Sequence, residues 1–234
     1  MRCLIITRYS IPLAFGRRES AAIDSDWWQH RKSLFLKYCL PSVINQTDQN
    51  FEWFLGFHPS ADIDFASLLP PNAHIIRCSS MNDFNDEVRR GLKGEVYVIS
   101  TRLDNDDCLA NDFISTIREF SFFHNLNRGI LGDVYALNFR TGLVYDTEKN
   151  IVYKRDYNAS SFVTLYESIG EEGVPLTINN FRHAHISKSV DLANISSAQP
   201  MWLINIHDRN VGNTVEGIEL GALNKEIATR FSIK

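Results

Sequence analysis

The chain has no apolar run long enough to cross a bilayer and no signal-peptide pattern; its opening run, Cys3 to Thr7, is far too short for either. Its four cysteines, Cys3, Cys39, Cys78 and Cys108, are widely spaced and form no CxxC pair. Three of them lie in apolar segments, where a thiol packs as a small hydrophobe, so all four are read as reduced and the expected location is cytoplasmic. A large charge of one sign is also missing. A formal net charge of -4 over 234 residues gives no bulk attraction to nucleic acid or to anionic membranes. Neither GxGxxG nor GxxxxGK(S/T) occurs, so neither a dinucleotide cofactor nor a P-loop nucleotide is supported. There is no internal repeat, low-complexity tract or linker. An apolar content of 44% fits an ordinary globular chain.

What is present is an alternation of short apolar runs with helical patterns. Cys3 to Thr7, Glu52 to Phe57, Ala73 to Arg77 and Glu95 to Thr101 read as strands. Between them lie a helix from about Asp26, disturbed at Pro41, and a second from Met81 to Leu92 with Phe84, Val88 and Leu92 on one face. This order predicts an α/β fold with a mostly parallel central sheet flanked by helices. After a helix capped by Asn111 or Asp112, the second half changes character. Ile130 to Phe139 reads as a long strand, Gly142 to Tyr145 and Ile151 to Lys154 as a hairpin, Pro200 to His207 as another strand and Glu216 to Ile227 as a helix. A single domain over 1–234 is expected, with two functional halves dividing near residue 110.

The richest stretch is Thr101-Arg102-Leu103-Asp104-Asn105-Asp106-Asp107. It sits where a parallel sheet binds ligands, beyond the carboxyl end of a strand. Three carboxylates within four positions repel one another, and a divalent cation would offset that cost. Carboxylate oxygens are hard ligands, which favours Mg²⁺ or Mn²⁺. A solvated turn is the plain alternative, since Asn and Asp favour turns. An EF-hand loop fails, because Cys108 and Leu109 stand where it needs an oxygen ligand and a glycine. An aspartyl-phosphate enzyme would carry its nucleophile after the first strand, where this chain has Thr7 and Arg8.

Other candidates are weighed against blander roles. His207 ends an apolar strand, where a structural hydrogen bond is as good an explanation as metal ligation. Arg8, Arg17, Arg18 and Arg31 crowd the first strand end and can clamp a diphosphate or simply form a solvated basic patch. Arg209 can meet a phosphate or face solvent. Among Glu167, Glu171 and Glu172, most simply exposed charges, one can serve as general base. His183 and His185, two apart, would share one side of a strand as substrate contacts or base.

Several segments together resemble a known family: Ile5 to Ser10, Arg31 to Phe35, Tyr38 to Val43, Gln46 to Asp48, Asn50 to Trp53, Thr101 to Asp107, Pro200 to Leu203 and Ile206 to Val211. In this order they resemble the bacterial "putative rhamnosyltransferases", within the GT-A-fold glycosyltransferases that carry a DxD motif. The resemblance implies a GT-A-like domain with a nucleotide-sugar-binding first half and an acceptor-side second half. It also implies transfer of a sugar, by name rhamnose, from a nucleoside-diphosphate donor to a glycan hydroxyl during surface-polysaccharide synthesis. An inverting hexosyl transfer is the expected type. By the same resemblance Asp106 and His207 hold Mn²⁺ or Mg²⁺, and Asp104 meets the ribose or sugar. Thr7 and Arg8 line the base pocket, while Arg31, Arg102, Asn105 and Arg209 complete the donor contacts. Glu167 and His185 are the catalytic candidates. Asp208 departs from the small residue the family pattern prefers. A non-catalytic nucleotide- or glycan-binding module and a metal-dependent phosphohydrolase are the alternatives. No nucleic-acid partner and no integral membrane span are expected.

Overall fold

Strand β1 (Arg2–Arg8) shows why the sheet is central: Cys3 and Ile5 pack into one hydrophobic core while Leu4 and Ile6 pack into another. A strand buried on both faces reads as a continuous apolar run, because successive side chains enter opposite layers. The computed structural model describes residues 1–11, 25–128, 134–169, 173–210 and 214–233. Arg17, Arg18, Glu171 and Glu172 lie outside the described residues.

After β1 come α1 (Ser25–Leu34), a π-helical turn (Phe35–Cys39) and α2 (Leu40–Ile44). Pro41 has no N–H to donate, and the chain accommodates it by a widened turn just before it rather than by ending the helix. Strands β2 (Glu52–Phe57) and β3 (Ala73–Arg77) follow, then α3 (Met81–Arg90). The Ser80 hydroxyl caps α3 by accepting from the Asp83 N–H at 3.1 Å, and Phe84 and Val88 are buried beneath it. Strand β4 (Tyr97–Arg102) leads through the acidic run into the short β5 (Cys108–Leu109) and α4 (Phe113–Arg128). The second half contributes β6 (Val134–Phe139), β7 (Thr141–Asp146), β8 (Ile151–Asp156), β9 (Thr164–Ser168), β10 (Asp191–Ile195), β11 (Trp202–Ile206), β12 (Ile218–Ala222) and α5 (Lys225–Arg230).

The larger sheet runs β10-β6-β9-β4-β1-β2-β3. Four of its six strand pairs are parallel, and β9 enters antiparallel between β4 and β6. The smaller sheet runs β12-β8-β7-β11-β5 and contains the β7–β8 hairpin. One core contains residues of both sheets, from Ile5 and Trp53 to Leu143 and Trp202. The α/β class, the mostly parallel central sheet and the hairpin in the second half agree with the sequence reading. Among the described residues no helix is long and apolar enough to cross a membrane.

Two expectations are corrected. Glu216 to Ile227 is not one helix: Ile218–Ala222 is strand β12, paired antiparallel with β8. Gly217 at φ 131° and Gly221 at φ 91° hold backbone conformations foreign to a helix, so only Lys225–Arg230 remains helical, capped by Asn224. His183 and His185 lie on a 3₁₀ segment (His183–Lys188) rather than a strand, so their two-residue spacing does not align them.

Trp202 anchors the junction of the two sheets. Its indole N–H donates to the Phe139 carbonyl at 2.8 Å, and its ring stacks on Phe162 with centroids 5.3 Å apart. A methyl group at Gly142 would fall 2.0 Å from that ring. Gly142→Ala should therefore destabilise the fold by about 1–3 kcal/mol, the usual cost of overpacking a filled core. Gly91→Ala, whose methyl would meet nothing closer than 3.4 Å, should stay within about 0.5 kcal/mol of the parent. Urea unfolding of both variants checks this; equal midpoints would contradict the packing account.

Candidate active site

The acidic run is shaped by what flanks it. The Leu103 N–H donates to the Ile6 carbonyl at 3.1 Å, extending the β1–β4 pairing, and the Asp107 N–H returns to the Asp104 carbonyl at 3.2 Å. Cys108 and Leu109 then pair antiparallel with β11, Leu203 opposite Cys108 and Trp202 opposite Leu109. Continuing that register places Asn205 beside Asp106 and carries His207 to the end of β4. The Asn205 N–H donates to Asp107 Oδ1 at 3.0 Å, and the Asn205 side-chain amide donates to the Asp106 carbonyl. The buried asparagine inside Trp202-Leu203-Ile204-Asn205-Ile206 is a polar residue in an apolar strand, and that was its signal in the sequence.

Asp106 is buried and shares one oxygen, Oδ2, between two partners. Arg31 Nη1 donates to it, and His207 Nε2 stands 3.1 Å away. Burial opposes its ionisation, but the His207 hydrogen bond and the Arg31 charge outweigh burial and hold the carboxyl below its ordinary value. Arg31 also reaches Asn105 Oδ1 at 3.3 Å, while Asn105 donates to the Tyr9 carbonyl. Among the described residues Asp107 has no cation in contact. Burial, with the charges of Asp106 and Asp104, pushes its carboxyl well above the ordinary range.

His207 has a second face. Its Nδ1 lies 3.2 Å from His30 Nε2 and accepts the Arg209 N–H at 3.2 Å. The Asp208 carboxylate comes within 3.6 Å of His30 Nε2 and 3.8 Å of His207 Nδ1. Burial, then the neighbouring His207 ring, lower the His30 pKa. His30 has no marker in the sequence, since only the fold brings position 30 of α1 to position 207. Arg209 closes the arrangement over Asp26 at the start of α1, donating to its carbonyl at 3.3 Å.

The remaining candidates divide. Arg102 donates to the Phe181 carbonyl at 2.7 Å and feels the charges of Asp104 and Arg8, so these three gather on the other flank of the run. His183 is on that flank too, its pKa lowered by burial and by Arg102. Thr7 is fully buried, and its hydroxyl accepts the Trp53 indole N–H at 2.9 Å, which ties it to the core. His185 is exposed on its 3₁₀ turn. Glu167 is not brought to the site. It lies opposite Val98 in the β4–β9 pairing, six residues and about 20 Å before Asp104 at roughly 3.3 Å per residue. Its two oxygens accept the Leu176 and Thr177 N–H groups at 2.6 and 2.9 Å, and burial raises its pKa. Those bonds make it a clamp on the 173–180 segment.

The Asp107 shift gives a stability prediction. A carboxyl whose folded pKa exceeds its unfolded value costs stability as pH rises from the unfolded towards the folded value. Asp107→Asn keeps an acceptor for the Asn205 N–H and removes the charge. It should raise the unfolding temperature near about pH 8, and the gain should vanish as pH falls to the ordinary carboxylate range near about 4. Calorimetry across that range checks the sign; a loss at the alkaline end would contradict it.

A family model described as "Putative rhamnosyl transferase" matches residues 6–218 of the chain. No curated protein matches it in sequence. Among solved structures it is similar to S. aureus TarS at 12% identity and a TM-score of 0.46, covering 88% of this chain and 37% of that one. A shorter TarS chain, 1-349, matches at 11% identity and 0.45, with 60% of that chain covered, so this chain spans less than two thirds of either. A "putative nucleotide-diphospho-sugar transferase" from Desulfovibrio desulfuricans G20 matches at 9% identity and a TM-score of 0.39, covering 88% of this chain and 82% of that one.

Proposed function

The chain belongs to the "Putative rhamnosyl transferase" family, and from that premise we propose a metal-dependent glycosyltransferase. It moves a hexose or deoxyhexose, rhamnose by the family's name, from a nucleoside-diphosphate donor to a glycan hydroxyl, with bacterial surface polysaccharide as the context. The observation that carries this reading is the convergence of Asp106, Arg31 and His207 beyond the carboxyl ends of β4 and β11.

The departing diphosphate is the charge problem to be solved. Arg31 is placed to meet it: its Nε is buried and has no acceptor among the described residues, which a phosphate oxygen would supply. Arg209, partly exposed and beside Asp208, is a second cation within the same cluster. Arg8, Arg102 and Asp104 form the other wall, where a ribose or sugar hydroxyl can be held. Side chains that can hold a divalent cation stand on both sides of His207: His30 and Asp208 beside its Nδ1, and Asp106 beside its Nε2. When bound, that cation supplies Lewis-acid stabilisation of the leaving group. Arg31 contacts Asp106 Oδ2 and balances the charge of that carboxylate. Glu167 is left out of the acceptor chemistry because of its position.

Purified protein should turn over a nucleoside-diphosphate sugar from a hexose and deoxyhexose panel, and chelator should stop it. Asp106→Ala should lower kcat/KM by about 10²–10³, the scale for losing one group that stabilises developing charge. Arg31→Ala should raise KM for the donor as well as lower kcat. Full activity of Asp106→Ala in excess chelator would overturn the mechanism.

A further inference from the structure

Three polar side chains stand in a row on one face of the central sheet. Glu167 pairs with Val98 and Leu165 with Ser100 across β9 and β4. Paired residues point the same way and side chains alternate along a strand, so Glu167, Ser100 and Arg102 face one layer. The segment 173–181 crosses that face, and the three hold it by its backbone. Glu167 accepts the Leu176 and Thr177 N–H groups at 2.6 and 2.9 Å. The Ser100 hydroxyl accepts the Ile178 N–H at 2.8 Å. Arg102 donates to the Phe181 carbonyl at 2.7 Å and to the Ile178 carbonyl at 3.3 Å. From α3, Arg89 Nε donates to the Pro175 carbonyl at 2.9 Å.

Thr177, at the centre of these bonds, is strained. It stands at φ 64° and ψ 158°, a region open to glycine and costly for a β-branched residue. Its own hydroxyl does not offset that cost, being buried with no partner among the described residues. The conformation is therefore imposed by its surroundings, first of all by the two oxygens of Glu167. The turn it makes presents the Ile178 N–H to Ser100 and the carbonyls of Ile178 and Phe181 to Arg102. An arginine on its long stem needs such a hold, because Arg8 repels it while Asp104 attracts it. Both carbonyls are met by Nη2, so neither Nη1 nor Nε is spent on holding the segment.

We infer that Glu167 is a positioning residue: by fixing Thr177 in its left-handed conformation it aims two backbone carbonyls at Arg102 and so sets that guanidinium beside Asp104. A carboxylate far from the acidic run thus acts on it through a strained peptide segment. What Arg102 then does for a donor rests on the proposed function; that Glu167 holds it in place does not.

Two readouts test this. The first needs no donor: rotation of the Arg102 guanidinium about its Cζ–Nε bond, followed by nitrogen-15 NMR. Glu167→Gln keeps the shape of the side chain but turns an N–H donor towards one of the two backbone N–H groups, and rotation should become severalfold faster. Adding Thr177→Gly should slow it again, since glycine adopts the same backbone conformation without the clamp. The second is calorimetry of UDP, dTDP and GDP with Mn²⁺. For the nucleotide the parent binds, Glu167→Gln should raise Kd about tenfold, the scale of one hydrogen bond to a charged group, and Thr177→Gly should restore it. In an Arg102→Met background Glu167→Gln should add nothing further, whereas a loss of general stability would add in full. Should Glu167→Gln not fold, Ser100→Ala, which removes the acceptor of the Ile178 N–H, is read in the same way. Unchanged Arg102 rotation in the folded variant, or additive effects with Arg102→Met, would overturn the inference. A parent chain that binds none of the three nucleotides would instead count against the transferase reading, and the rotation rates would still decide the role of Glu167.

Discussion

The antiparallel pairing of β5 with β11 is the constraint on which the site depends. Two residues of β5 suffice, because the pairing is continued by Asn205, which donates its backbone N–H to Asp107 and its side-chain amide to the Asp106 carbonyl. Those bonds join the end of the parallel sheet to the smaller sheet. They also orient the whole acidic run, since a one-residue slip in register would turn every side chain to the opposite face. His207 arrives beside Asp106 as a consequence, and so does the loop that carries Asp208 and Arg209.

Electrostatics explains why the run tolerates so much negative charge. Its three carboxylates are treated differently by the fold. Asp106 is ionised because Arg31 and His207 share its oxygen, whereas Asp107 is disfavoured as an anion by burial and by its neighbours. Asp104 faces the flank with Arg102 and Arg8. A neighbouring helix therefore helps to stabilise the buried acidic cluster. Helix α1 supplies both Arg31 for Asp106 and His30 for His207, two consecutive residues serving two sides of one imidazole–carboxylate pair.

Much of the framework is legible from local pattern. Glu52–Phe57 and Ala73–Arg77 are read at their observed bounds, and the β7–β8 hairpin follows from two short runs around Asp146 to Asn150. Burial on both faces leaves Glu52–Phe57 a nearly continuous apolar run, whereas Ala73–Arg77 is a half-exposed edge strand marked by its short β-type run alone. Glu216 to Ile227 fails for a backbone reason: two glycines at positive φ favour an edge strand that side-chain periodicity does not reveal. Glu167 fails differently. As a carboxylate in the second half it is a reasonable base, but pairing with β4 runs it away from the acidic end and buries it against two backbone N–H groups.

The sequence by itself determined the strand–helix alternation, the place of the acidic run at a strand's carboxyl end and the kinship that labels it. Each of these is written in spacing over a few residues, or in segments whose order along the chain is preserved. Only the tertiary structure decided that His30 meets His207, that Asp208 completes a triangle with them, and that Asp106 is held by Arg31. Those contacts join positions as far apart in the chain as His30 and Asp208. They depend on how a helix on one sheet packs against a strand end of the other, and no local periodicity encodes that distance.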